Sequence, residues 1–84
     1  TLAVGAKVFP NPAAESATVR LNENRGAGPV HLSLLRSNGQ VLETATFSGA
    51  THSLDLSRCP SGLYFIRLQR EGRTKVLKLM LSRP

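Results

Sequence analysis

LDLSRCPSGLYFIRLQREGRTKVLKLML, residues 54–81, decides the fold, because its apolar residues recur every second position. Leu54 and Leu56 flank Asp55, so a strand over residues 52–56 turns two leucines to one side and a carboxylate to the other. Ser57-Arg58-Cys59-Pro60-Ser61-Gly62 then forms a corner, with room for one helical turn. Residues 63–70 give the best strand, with Tyr64, Ile66 and Leu68 on one face and Leu63, Phe65 and Arg67 on the other. Glu71-Gly72 closes a tight hairpin onto residues 73–82, where Leu77, Leu79 and Leu81 align.

Upstream the pattern repeats. Residues 4–9 read as a first strand, stopped by Pro10-Asn11-Pro12, since two prolines in three positions cannot donate to a sheet ladder. Residues 17–22 place Val19 and Leu21 opposite Thr18 and Arg20, and residues 24–29 are loop on composition. Residues 30–36 set Val30, Leu32 and Leu34 on one face. Asn38-Gly39 predicts a type I′ hairpin into residues 40–47, with Val41, Ala45 and Phe47 sharing a side. Seven short strands broken every 8–12 residues point to an all-β, immunoglobulin-like sandwich of two antiparallel sheets. An SH3-like or OB barrel is the alternative and calls for fewer, longer strands.

Eighty-four residues make one domain with a modest core. No apolar run approaches the roughly 20 residues of a membrane helix, which predicts a soluble domain. The chain opens on Thr1 without a charged-then-apolar leader, so it reads as a piece excised from something longer. The net charge of +6 suits anionic partners: nucleic acid, lipopolysaccharide, phospholipid or an acidic protein surface. Spread along the chain as it is, that charge also serves plain solubility. The single Cys59 rules out an internal disulfide.

Chemistry-bearing constellations are thin. Ser61, His52 and Asp55 invite a triad reading, but no G-x-S-x-G elbow exists, and His52 and Asp55 alternate to opposite faces of their strand. His31, His52 and Cys59 match no zinc-ligand spacing. The expectation is therefore no enzyme, no metal and no cofactor. Arg67, Arg70, Arg73, Lys75, Lys78 and Arg83 concentrate positive charge on the last hairpin, yet one Tyr, three Phe and no Trp leave little for bases to stack on. Nucleic acid is accordingly not expected as a partner.

Three segments in order carry a resemblance: Val8-Phe9-Pro10-Asn11-Pro12-Ala13, then Asn38-Gly39-Gln40-Val41, then Leu54-Asp55-Leu56-Ser57 with Ser61-Gly62-Leu63-Tyr64-Phe65-Ile66-Arg67-Leu68 and Lys75-Val76-Leu77-Lys78. Together they resemble the C-terminal sorting domain of cargo proteins exported by the type IX, or Por, secretion system of Gram-negative bacteria. Cys59 departs from it, standing where the family usually has a leucine. The resemblance implies a seven-stranded immunoglobulin-like sandwich spanning residues 1–84 as one sorting domain behind an N-terminal cargo. It implies recognition by the outer-membrane translocon, removal by a surface sortase, and a route through the periplasm to the cell surface or the medium. A weak homodimer stays open.

Carried over residue by residue, Pro10, Asn11 and Pro12 make a rigid lead-in turn, Gly39 permits the hairpin, Gly62 lets the corner pass and Tyr64 anchors the core. Lys75, Lys78, Leu81, Ser82, Arg83 and Pro84 are the expected translocon-recognition residues. The reading from another class is a fibronectin-like adhesion or carbohydrate-binding module on the same sandwich.

Overall fold

Each alternating stretch becomes a strand in the computed structural model, which describes residues 6–11, 13–21 and 29–82. The strands are β1 (Ala6–Phe9), β2 (Ser16–Leu21), β3 (Val30–Arg36), β4 (Val41–Phe47), β5 (Thr51–Asp55), β6 (Gly62–Arg70) and β7 (Arg73–Leu81). They form a three-stranded sheet ordered β1-β2-β5 and a four-stranded sheet ordered β4-β3-β6-β7, with every neighbouring pair antiparallel. This is the sandwich architecture expected of an immunoglobulin-like domain. Residues 4 and 5 of the first expected strand, Pro12, Asn22, the loop at 24–28, Arg83 and Pro84 lie outside the described residues.

The core lies between the sheets because the period-2 leucines and valines of both face inward. Ala17, Val19 and Leu21 from β2 and Leu54 from β5 meet Val30, Leu32, Leu34, Ile66, Leu68, Leu79 and Leu81 from the four-stranded sheet. Leu56, just past β5, is also fully buried, as its alternation with Leu54 and Asp55 requires. Cys59 is half-buried and packs against this cluster as a small apolar group.

Local details differ from the sequence reading in three places. At Asn38-Gly39 only the glycine has positive φ (93°), and the Gly39 amide donates to the Arg36 carbonyl. That is a type I turn followed by a left-handed glycine, a three-residue loop, and not the expected type I′ turn. The I′ geometry occurs instead at Glu71 (φ 53°) and Gly72 (φ 77°). Second, a bulge in the β3–β4 ladder sets Leu34 opposite Glu43 but Leu35 opposite Val41. One strand advances two residues while the other advances one, so Val41 leaves the side of Ala45 and Phe47 and joins the outer face with Leu35. Third, the corner after β5 has no helical turn: the Cys59 amide reaches back to the Leu56 carbonyl in a single bend.

Candidate functional site

The chemistry of this chain concentrates around β7, the outermost strand of the four-stranded sheet. Its inner edge pairs with β6 from Gly62↔Leu81 to Arg70↔Arg73. Among the described residues its outer edge meets no strand, but half of it is covered by the segment that follows β1. After the cis Phe9–Pro10 bond the chain leaves the three-stranded sheet and crosses to the other one. There the Asn11 side chain acts as one more peptide unit: Nδ2 donates to the Lys78 carbonyl at 2.9 Å, and Oδ1 accepts from the Met80 amide at 3.0 Å. Ala13 continues the ladder in parallel, its amide donating to the Met80 carbonyl and its carbonyl accepting from the Ser82 amide, each at 2.8 Å.

Proline is what makes this possible locally. Pro10 has no amide to donate, so the lead-in cannot extend the β1–β2 ladder, and its short polar neighbour is freed to pair elsewhere. Asn11 and Lys78 are 67 positions apart, and Asn11 and Met80 are 69. The sequence reading treated Pro10-Asn11-Pro12 and the last strand as separate features, whereas the structure joins them. The upstream half of the edge stays open. Thr74 and Val76 direct their backbone groups outward by the two-residue alternation, and no hydrogen bond meets them there among the described residues.

The expected recognition residues do not share one surface. Lys75 lies opposite buried Leu68 and is half-buried, whereas Lys78 lies opposite Phe65 on the outer face and is exposed. Leu81 is 1% exposed and belongs to the core. Ser82 is exposed, and its amide is held by Ala13. Among the other cations of the hairpin, Arg67 joins Lys78 on the outer face. Arg70 is buried on the inner side, and Arg73 lies opposite it. Among the described residues the cations of the hairpin divide between its two faces.

The supporting residues sit at the corner between β5 and β6. Tyr64, 3% exposed, donates its hydroxyl proton to the Pro60 carbonyl at 2.5 Å, the tyrosine corner of immunoglobulin-like sandwiches. The Asp55 carboxylate accepts from the Ser57 amide at 3.0 Å, and this bond holds its pKa below the ordinary carboxylate value, with Arg58 adding a smaller pull. Gly62 begins β6 at φ 150°, a conformation that side chains other than glycine's rarely adopt. The triad candidates stay apart: His52 stacks on Phe47 with ring centroids 4.8 Å apart, and Asp55 is engaged at the exposed turn. His31 is on the outer face, with Nδ1 3.2 Å from the Thr46 hydroxyl. Among the described residues no group of three or more His, Cys, Asp or Glu side chains could hold a metal ion.

A second feature escaped the sequence reading. The outer face of the four-stranded sheet is apolar: Phe65 lies opposite Leu35 and Leu63 opposite Met80, with Val41 and Val76 exposed beside them. The signal was the unbroken apolar run Leu63-Tyr64-Phe65-Ile66, since an antiparallel strand with one wet face should alternate.

No match is found among curated proteins. A family model does match, that of the secretion system C-terminal sorting domain, over residues 7–82. Its span runs from β1 through the proline lead-in to the far end of β7, so it takes in both partners of the Asn11 clamp. With the match covering nearly the whole sandwich, the chain belongs to the secretion system C-terminal sorting domain family.

Proposed function

We propose that the domain acts by being read, and that the part the type IX outer-membrane translocon reads is the end of β7: Lys75, Lys78, Leu81, Ser82, Arg83 and Pro84. Family membership itself makes the chain a C-terminal sorting signal for type IX secretion, a system that delivers proteins to the cell surface or the extracellular space. The family is not an enzyme family, and we assign the chain no catalysis of its own. In the finer reading, residues 1–84 form one domain behind an N-terminal cargo domain, cross the periplasm with it, and are removed by the surface sortase. The family match favours this over a fibronectin-like adhesion or carbohydrate-binding module.

The observation that supports the finer reading is the position of β7: an edge strand with exposed Lys78 on one face, half-buried Lys75 on the other, and part of its backbone edge unpaired. Edge strands with open amides and carbonyls are natural docking rails for a partner strand, and a basic rim favours an acidic one. The test is a fusion of residues 1–84 to a periplasmic reporter in a type IX-competent cell. Deleting residues 82–84 leaves core residue Leu81 in place, and Lys78→Glu reverses an exposed charge. Both variants should stay folded by circular dichroism and lose surface export. Full export by both would refute the terminal reading.

A further inference from the structure

The two outer faces of the sandwich are built differently. On the three-stranded sheet the outward residues are Lys7, Phe9, Ser16, Thr18, Arg20, Thr51, Ser53 and Asp55, an ordinary wet surface with Phe9 as its one large apolar side chain among the described residues. On the four-stranded sheet, Leu35, Phe65 and Val76 floor a groove of about 210 Å³, with Arg36, Ser37, Gly39 and Arg67 on its walls. Val76 is 53% exposed and Met80 44%, large values for apolar residues on a small domain.

Arg67 is the informative residue. It lies mid-strand with Ser33 opposite on one side and Val76 on the other, and its Nε is buried without a hydrogen-bond partner among the described residues. A buried donor left unpaired costs stability, and a carboxylate could reach the guanidinium only at its outer nitrogens. The described residues do not provide one on this face. No Asp or Glu projects from the outer side of β3, β6 or β7, and the bulge puts Glu43 opposite inward-facing Leu34. The groove thus combines an apolar floor with Arg36 and Arg67, and no acidic residue among those described lines it.

We infer that this groove is a docking site for a partner protein segment that lays apolar side chains on Leu35, Phe65 and Val76 and gives a carboxylate to Arg67. A second copy of the chain is a poor occupant, because it brings the same cations and a net charge of +6 to the face. None of the proposed chain-end recognition residues lines the groove, so it stands or falls separately from terminal recognition.

The experiment is an amide NMR titration of the 84-residue chain with a heptapeptide alternating leucine and glutamate, against the same peptide with lysine for glutamate. The acidic peptide should shift the amides of Leu35, Phe65, Arg67 and Val76, and the lysine peptide should not. Arg67→Met should weaken binding about tenfold or more, the worth of a charge-assisted hydrogen bond. Its melting temperature should hold or rise, because an unpaired donor is gone. Arg20→Met removes the same charge from the opposite sheet and should leave binding unchanged. Val76→Glu sets a carboxylate on the groove at an exposed site and should abolish binding in a folded domain. Several results would overturn the inference: no shifts at millimolar peptide, equal binding by the lysine peptide, equal loss in Arg20→Met, self-association through the face, or Arg67-dependent binding to phosphatidylglycerol vesicles without peptide binding.

Discussion

Replacing Asn11 by alanine tests the joint between the two ends of the sandwich. The substitution deletes two hydrogen bonds, one given to the Lys78 carbonyl and one taken from the Met80 amide, and disturbs no buried side chain, since Asn11 is exposed. A typical intramolecular hydrogen bond contributes about 0.5–1.5 kcal/mol net. Exposed groups recover part of the loss from water, so the low half of that range applies to each, giving about 1–2 kcal/mol in all. For a domain of this size, 1 kcal/mol moves the melting temperature by roughly 4–8 °C, so Asn11→Ala should melt about 4–16 °C lower. Asn11→Asp sharpens the test. Its carboxylate still accepts from Met80 but sets a second oxygen against the Lys78 carbonyl, so near neutral pH the variant should be no better than alanine. Once acid protonates it, the carboxyl can donate to Lys78 and stability should partly return. Hydrogen exchange localises the effect: the Met80 amide should lose protection in Asn11→Ala, and the Ser82 amide, held by Ala13, should lose less. Unchanged melting together with unchanged Met80 exchange would refute the clamp.

Three further outcomes follow from the same geometry. Tyr64→Phe strips the proton given to Pro60 and leaves a part-buried carbonyl unpaired, so it should cost about 1–2 kcal/mol, read as a lower urea midpoint at unchanged slope. Glu71 occupies positive φ at the first central position of a type I′ turn, where asparagine is at ease, so Glu71→Asn should raise the melting temperature by several degrees, equivalent to about 0.5–1 kcal/mol. Because Asp55 titrates below its unfolded value, the stability it adds is present at neutral pH and disappears as pH falls through the acid range below that value. Asp55→Asn keeps an acceptor for Ser57 and should flatten this part of the stability–pH curve, measured by urea melts between neutral and strongly acidic pH.

Strand positions and the inward face were legible because period-2 alternation is a local signal tied directly to burial. Leu54 and Leu56, Tyr64, Ile66 and Leu68, and Leu79 and Leu81 all fall where alternation puts them. What alternation cannot see is a change of count between neighbouring strands. The extra residue that β4 inserts opposite the Leu34–Leu35 step turns Val41 outward, and nothing in the local pattern of residues 41–47 marks it. The same blindness hides pairings between distant segments. Pro10-Asn11-Pro12 shows that the chain must leave its ladder, and nothing local says that Asn11 lands on Lys78 and Met80. The hairpin turns illustrate a third limit. Asn-Gly is the favoured I′ pair, yet at Asn38-Gly39 the loop took three residues, while Glu71-Gly72 adopted I′ despite a poor first residue, because the unbroken register from Gly62↔Leu81 to Arg70↔Arg73 left only two residues for the turn.

The clamp changes how defects in a sorting signal of this shape must be interpreted. Terminal strand and lead-in belong to one hydrogen-bonded unit, so a substitution at Asn11 will behave like damage to the last strand although it removes none of the proposed recognition residues. The reverse also holds, because trimming through Leu81 empties a core position and frees the Ala13 carbonyl at once. A loss of export after either change is therefore ambiguous between an unread signal and an unravelled one. Lys78 separates the two. Its carbonyl is part of the clamp while its side chain is exposed, so Lys78→Glu alters what a partner meets and leaves the ladder intact. Export that falls with Lys78→Glu at constant melting temperature is a recognition defect, and export that tracks melting temperature across Asn11 variants is a folding defect. If Lys78→Glu and Asn11→Ala fell on one line of export against stability, β7 would be a structural requirement of the sandwich and the signal would have to be sought on another face.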